Sequence, residues 1–172
     1  MKMKEKFNTF LLLLATFSFF TVSIHAQNSA ELKEVKVYFW FIGTDGSESK
    51  IIPLKRKVSA KAPLFSAIEA MLKDPTEAEK KLGYISAGYD DMKLVSVKLR
   101  EGMARIDFSR QLEKDRSDYN PGDLQTLNFE SAVIKTAKQF STVKKVIVCV
   151  NGMNEFGIGM VIDAPVPCPK EK

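Results

Sequence analysis

Histidine is almost missing from this 172-residue chain: its one imidazole, His25, lies in a stretch that reads as a removable leader. Without a side chain that titrates near neutrality, Ser-His and Cys-His nucleophilic catalysis and zinc binding through histidine are excluded. Cysteine is scarce too, with only Cys149 and Cys168. Excess charge of either sign is small. The formal net charge of +5 falls to about +3 once Lys2, Lys4, Lys6 and Glu5 leave with the leader. That is too mild to argue for nucleic acid. Nor is there an apolar run of the ~20 residues that a membrane-spanning helix needs. The longest, Phe10 to Phe20, is about half that length.

What is present at the amino terminus is an export signal. The three early lysines, the Phe10–Phe20 core and Ser23-Ile24-His25-Ala26 before Gln27 have the order of a cleavable secretory signal peptide. The expected organisation is a signal peptide over 1–26, a linker over 27–33, one domain over 34–163 and a Pro-rich tail over 164–172. The expected location is secreted or periplasmic, with no membrane span after cleavage. A single domain of this size can bury a core without metal or several disulfides. In an exported chain an even cysteine count favours a Cys149–Cys168 bridge, which would staple the tail across the sheet. Burial of Cys149 as an inert thiol is the alternative.

Periodicity supplies the elements. Residues 34–42 alternate Val35, Val37, Phe39 and Phe41 with Lys36, Tyr38 and Trp40, and residues 50–58 return as a second strand in which Pro53 marks an edge. From Pro63 the period changes to Leu64, Ala67, Ile68, Met71 and Leu72, a helix. Residues 92–99 and 103–109 form a hairpin. Residues 110–123 are a long polar loop, and a helix from Leu124 to Phe140, capped by Asp123, buries Phe129, Ala132, Val133, Ala137 and Phe140. "KKVIVCV" reads as a central strand and 156–162 as a last one. The order β-β-α-β-β-α-β-β predicts an α/β (α+β) fold, a mostly antiparallel sheet with two main helices on one face.

Between the first helix and the hairpin, "KDPTEAEKKLG" gathers acids that could form a site. Its local reading is a short helix: Asp74 as cap, Pro75 in the first turn, Glu77 completing a capping box, Lys80 and Lys81 in the last turn and Gly83 as the left-handed closing residue.

These residues in this order, with "VKVYFWF", "IIPLKRKV", "MKLVSVKLREGMARIDFS" and "KTAKQFSTVKKVIVCVNG", resemble the GerMN domain, a module named for a sporulation and spore germination lipoprotein. That pattern has Leu-Leu-x-Gly-Pro-Thr, a Glu three residues on, a Gly and a Ser, then Asp-Leu-Ser or Asp-Phe-Ser. Met71 to Thr76, Glu79, Gly83, Ser86 and Asp107-Phe108-Ser109 stand at those places, with Asp74 where Gly is usual. The resemblance spans about residues 34–152. It implies a small α/β module of exported proteins in cell-envelope assembly, similar in fold to ring-building motifs that pack side by side. It carries no catalytic residues.

Several clusters have plainer readings. Ser-x-x-Lys at Ser47/Lys50 and Ser141/Lys144 is a chance-level spacing without its companion motifs. Asp115, Asp118, Asn120 and Asp123 lack the glycine and glutamate register of a calcium loop. No metal and no cofactor are therefore expected. Tyr38 and Trp40, on the strand face away from Val35 and Phe39, suit a protein, peptide or glycan contact, unless the tail around Pro165 to Pro169 covers them. Lys55, Arg56 and Lys57, with Lys61, form a basic run beside an edge strand. It either discourages aggregation or meets an anionic envelope polymer.

The expected function is an exported, non-enzymatic envelope domain that binds an envelope protein or cell-wall component, or assembles with copies of itself. The alternatives are a wall glycan or peptide hydrolase with carboxylates from Asp107, Asp115, Asp118 or Asp123, and a ligand-binding accessory protein that uses the long loop.

Overall fold

The computed structural model describes residues 31–43, 46, 49–111, 124–154 and 167–169. The expected leader, the acids Asp115, Asp118 and Asp123, and the strand expected over 156–162 lie outside these residues. Six strands and three helices follow in the order β1 (Leu32–Ile42), β2 (Ser49–Ser59), α1 (Pro63–Met71), α2 (Glu77–Lys81), β3 (Tyr84–Ile85), β4 (Lys93–Arg100), β5 (Met103–Ser109), α3 (Leu124–Lys138) and β6 (Lys145–Val150). β1 begins at Leu32, so the first strand reaches into the segment expected to be linker.

The fold is α+β, and the described strands lie in two three-stranded sheets rather than one, ordered β2-β1-β3 and β4-β5-β6. Every pairing is antiparallel except β5 with β6. Parallel neighbours need a crossover, and α3 is that crossover. β6 is expected to be central because its apolar run is unbroken; among the described strands β5 holds the middle, and the strand expected over 156–162 lies outside the described residues. The run is unbroken because β6 is covered on both faces: Val148 and Val150 join the main core, while Ile147 and Cys149 pack with Cys168 of the tail.

The core forms where period-two and period-3.6 stripes meet. Val35, Val37 and Phe39 of β1 and Ala104, Ile106 and Phe108 of β5 are buried with Ala67, Ile68 and Met71 of α1 and Phe129, Ala132, Val133 and Ala137 of α3. Phe108 and Phe129 meet edge to face at 5.0 Å between ring centres. Phe140, expected in this stripe, is half-buried, with the Lys33 ammonium over its ring.

α3 also closes a sheet edge. β3 pairs with β1 only at Trp40 and Phe41, which leaves the lower half of that edge open. There the Gln139 amide accepts from Lys36 N–H at 2.8 Å and donates to Lys36 C=O at 2.6 Å, as a neighbouring strand would. The Tyr38 N–H donates to the Thr136 hydroxyl. Thr136 of α3 and Gln139 just beyond its end thus continue the ladder that the strand leaves unfinished.

Candidate functional site

The outer surface of the β2-β1-β3 sheet collects most of the residues singled out from the sequence. Directly opposed residues of an antiparallel pair share a face. The register therefore sets Ile51, Trp40 and Ile85 in one row across three strands, Pro53 and Tyr38 in the next, then Lys55 with Lys36, then Lys57 with Glu34. Tyr38, Trp40 and Ile51 are half-buried; Pro53, Lys36, Lys55 and Lys57 are exposed. The Trp40 indole N–H donates to Ser49 Oγ at 2.9 Å, which fixes the ring along β2. The face grades from apolar and aromatic at one end to basic at the other.

Lys55, Arg56 and Lys57 of β2 do not act alike. Lys55 bridges to Glu34 at 2.8 Å in an exposed pair. Hydrogen bonding and attraction within this pair hold the Glu34 carboxyl below and the Lys55 ammonium above their ordinary values. Lys57 is exposed across from Glu34. Arg56 points to the opposite, inner face. There its two terminal nitrogens donate to Glu79 Oε1 and Oε2 at 2.9 and 2.7 Å, and its guanidinium lies 4.9 Å from the Phe39 ring centre. Its charge is engaged inside the fold, so the outer face keeps Lys55 and Lys57 without it.

The partner of Arg56 comes from the acidic stretch, and the capping differs from the local reading. Thr76, not Asp74, is the N-cap of α2: its hydroxyl accepts from Glu79 N–H, and the Glu79 carboxylate accepts from Thr76 N–H. Both Asp74-x-x-Glu77 and Thr76-x-x-Glu79 fit the capping pattern. The second frame is the one that also aims Glu79 at Arg56. Asp74 and Glu77 instead pair with Lys80 on the surface. Hydrogen bonds from Arg56 first, and from Thr76 after it, lower the Glu79 pKa against the opposing effect of burial. Gly83 closes the helix at φ +95° and hands its carbonyl to Ile42 N–H, which couples α2 to β1.

A second polar node lies on the outer face of the other sheet. Cys149 and Cys168 form a disulfide with Cα atoms 6.1 Å apart, and Cys168 N–H donates to the Gly152 carbonyl. The described tail residues Pro167–Pro169 thereby lie against β5 and β6, where Arg105 donates to the Pro169 carbonyl. Asp107, the one hydrolase carboxylate among the described residues, accepts from Arg105 and from Ser96 Oγ. A carboxylate so saturated is a structural acceptor. Its oxygen lies near both sulfurs, but bonded sulfurs are not the thiolates that ligate metals. At the carboxyl ends of β5 and β6, Arg110 pairs with Asp91 and stacks 3.6 Å from the Tyr89 ring centre, while Tyr89 shares a hydrogen bond with Thr126.

Two roles were not seen in the sequence. The Thr-x-x-Glu frame was a readable signal for the cap. Gln139 and Thr136 carried none, because their partners lie about a hundred residues away.

A family model described as Germane, sporulation and spore germination, matches residues 36–155. No curated protein sequence matches the chain. Among solved structures, the tandem GerMN domains of the sporulation protein GerM from Bacillus subtilis are 20% identical with a TM-score of 0.56, over 86% of this chain and 48% of that one. The chain thus spans about half the length of that structure. The first GerMN domain of the same protein, at 23% identity and TM-score 0.47, covers 78% of this chain and 94% of its own. A lipoprotein structure from Clostridium perfringens, at 18% identity and TM-score 0.42, covers 79% of this chain and 87% of its own.

Proposed function

The chain belongs to the Germane family of sporulation and spore germination domains, and from that footing we propose that it works in the cell envelope as an exported, non-enzymatic binding module. The observation that carries the reading is the outer face of the first sheet. It offers Trp40, Tyr38, Ile51 and Ile85 in adjoining rows, flanked by exposed lysines. Half-buried aromatics, with the Trp40 ring held by Ser49 of the neighbouring strand, give large contact area at low entropic cost. Asp107, bound by Arg105 and Ser96, supports a binding role over hydrolysis.

The test uses the purified chain, isolated cell walls and an envelope protein fraction, with light scattering on the chain alone at several concentrations. We expect association with walls, with envelope proteins or between copies. Trp40→Ala and Tyr38→Ala should weaken it by tenfold or more with little change in melting temperature. Release of soluble wall fragments that Asp107→Asn abolishes would overturn the reading. So would association that neither aromatic substitution alters.

A further inference from the structure

We propose that the outer edge of β2, which no described strand pairs, accepts an extended acidic segment of a partner protein as an added strand. The proposal rests on the binding-module reading and names the partner's chemistry. It begins with where backbone groups point. The N–H groups of Lys36, Tyr38 and Ile42 turn away from β2, toward Gln139, Thr136 and Gly83. In an antiparallel ladder the residue opposite such a position also turns outward. Ser49, Pro53 and Lys55 therefore present their backbone away from β1, and the alternation extends this to Ile51, Lys57 and Ser59.

Along that row the Lys55 carbonyl accepts from Arg56, and Pro53 has no N–H. The N–H groups of Ile51, Lys55 and Lys57 meet no acceptor among the described residues, where β2 is the terminal strand of its sheet. The contrast with the other edge is sharp: β1 is closed there by β3, Gln139 and Thr136.

Charge selects the occupant. The exposed charged side chains of the outward row are Lys55 and Lys57, with Lys36 beside them and Glu34, across from Lys57, bridged to Lys55. An added strand would set alternate side chains directly across from these residues. Opposite charges stabilise such positions and like charges destabilise them. Acids facing Lys55 and Lys57, and an apolar residue facing Ile51 at the Trp40 end, complete the pattern. A second copy's β2, Ser49–Ser59, holds no acidic residue to set opposite these lysines, which argues against self-pairing along this edge. Backbone bonds would then supply affinity and the alternate pockets selectivity.

The probe is a synthetic peptide of alternating glutamate and valine, with a lysine–valine peptide and inorganic polyphosphate as controls, added to the labelled full chain. We expect amide resonances of Ile51, Lys55 and Lys57 to shift and their hydrogen exchange to slow at least tenfold with the acidic peptide alone. The charge-reversed pair Lys55→Glu and Lys57→Glu, both exposed, should lose that binding and gain the lysine peptide. Lys57→Pro, which removes an outward donor as Pro53 does, should weaken binding without reversing charge preference. Equal binding of polyphosphate, protection of these amides by self-association, or peptide binding that leaves β2 amides unchanged would each overturn the proposal. If β2 substitutions are silent while Trp40→Ala still releases the envelope partner, strand addition fails and the binding-module reading stands.

Discussion

Replacing Glu79 by alanine removes two kinds of contact at once. The Thr76 N–H loses its carboxylate, and the Arg56 guanidinium, about a quarter exposed and stacked on Phe39, loses a bidentate partner. Exposed pairs contribute about 0–1 kcal/mol, and breaking a fully buried pair costs about 3–5 kcal/mol. With each side chain about four-fifths buried, the expected cost lies between these, at about 2–3 kcal/mol. For a chain of this size that is a melting-temperature drop of about 4–12 °C. Glu79→Gln keeps a capping side chain but not the charge, so it should cost about half as much. A double-mutant cycle with Arg56→Met should recover about 1–2 kcal/mol of coupling.

The pH dependence has a fixed sign. The folded pKa of Glu79 is depressed, chiefly by hydrogen bonds from Arg56, so the unfolded chain binds the proton more readily. The contribution is therefore fully present above the ordinary value of 4.5 and is lost as pH falls through the lower folded value. Thermal unfolding of the parent and Glu79→Gln across this range should show their gap narrowing below about pH 4.5. A gap that stays constant or widens in acid, or a cost for Glu79→Ala below about 0.5 kcal/mol, would refute the argument.

Gly83→Ala should be far more damaging than Gly46→Ala, although both glycines have positive φ. A Cβ at Gly46 meets open space, whereas at Gly83 it would fall 2.2 Å from the Ile42 carbonyl oxygen. Chemical denaturation should show about 1 kcal/mol for Gly46→Ala and about 3 kcal/mol or more for Gly83→Ala. Gln139→Ala should cost only about 0.5–1 kcal/mol, because water can replace its amide on an exposed edge. It should nonetheless speed exchange of the Lys36 amide at least tenfold, since that donor loses its partner.

Much of the fold was legible because local pattern and burial agree. The alternation in β1 marks Val35, Val37 and Phe39 as the inward side, and the helical stripe from Phe129 to Ala137 is buried as its spacing demands. Pro53, which cannot donate to a ladder, lies in β2, the terminal strand of its sheet among the described residues. The family signature was readable as an ordered series of short motifs, and it matches residues 36–155. The division into two sheets was not legible, because strand periodicity carries no information about which edges meet. The middle place of β5 among the described strands was hidden for a related reason: the outer side chains of β6, Ile147 and Cys149, pack with Cys168 of a distant tail.

The candidate site divides along the same line. By itself the sequence determined which residues alternate on β1 and β2, that α2 must begin within Asp74 to Glu79, and that chemistry dependent on histidine is absent from the expected mature chain. These follow from spacing and composition, which act within a few residues. Only the tertiary structure decided that Arg56 turns inward to Glu79 while Lys55 and Lys57 remain outside, and that Thr76 rather than Asp74 caps the helix. It also decided that Gln139 closes one sheet edge while β2 remains terminal among the described residues. Each of these is settled by an acceptor or donor supplied from a distant part of the chain. A backbone or charged group is satisfied by whatever the fold brings within hydrogen-bond reach, which local sequence does not encode.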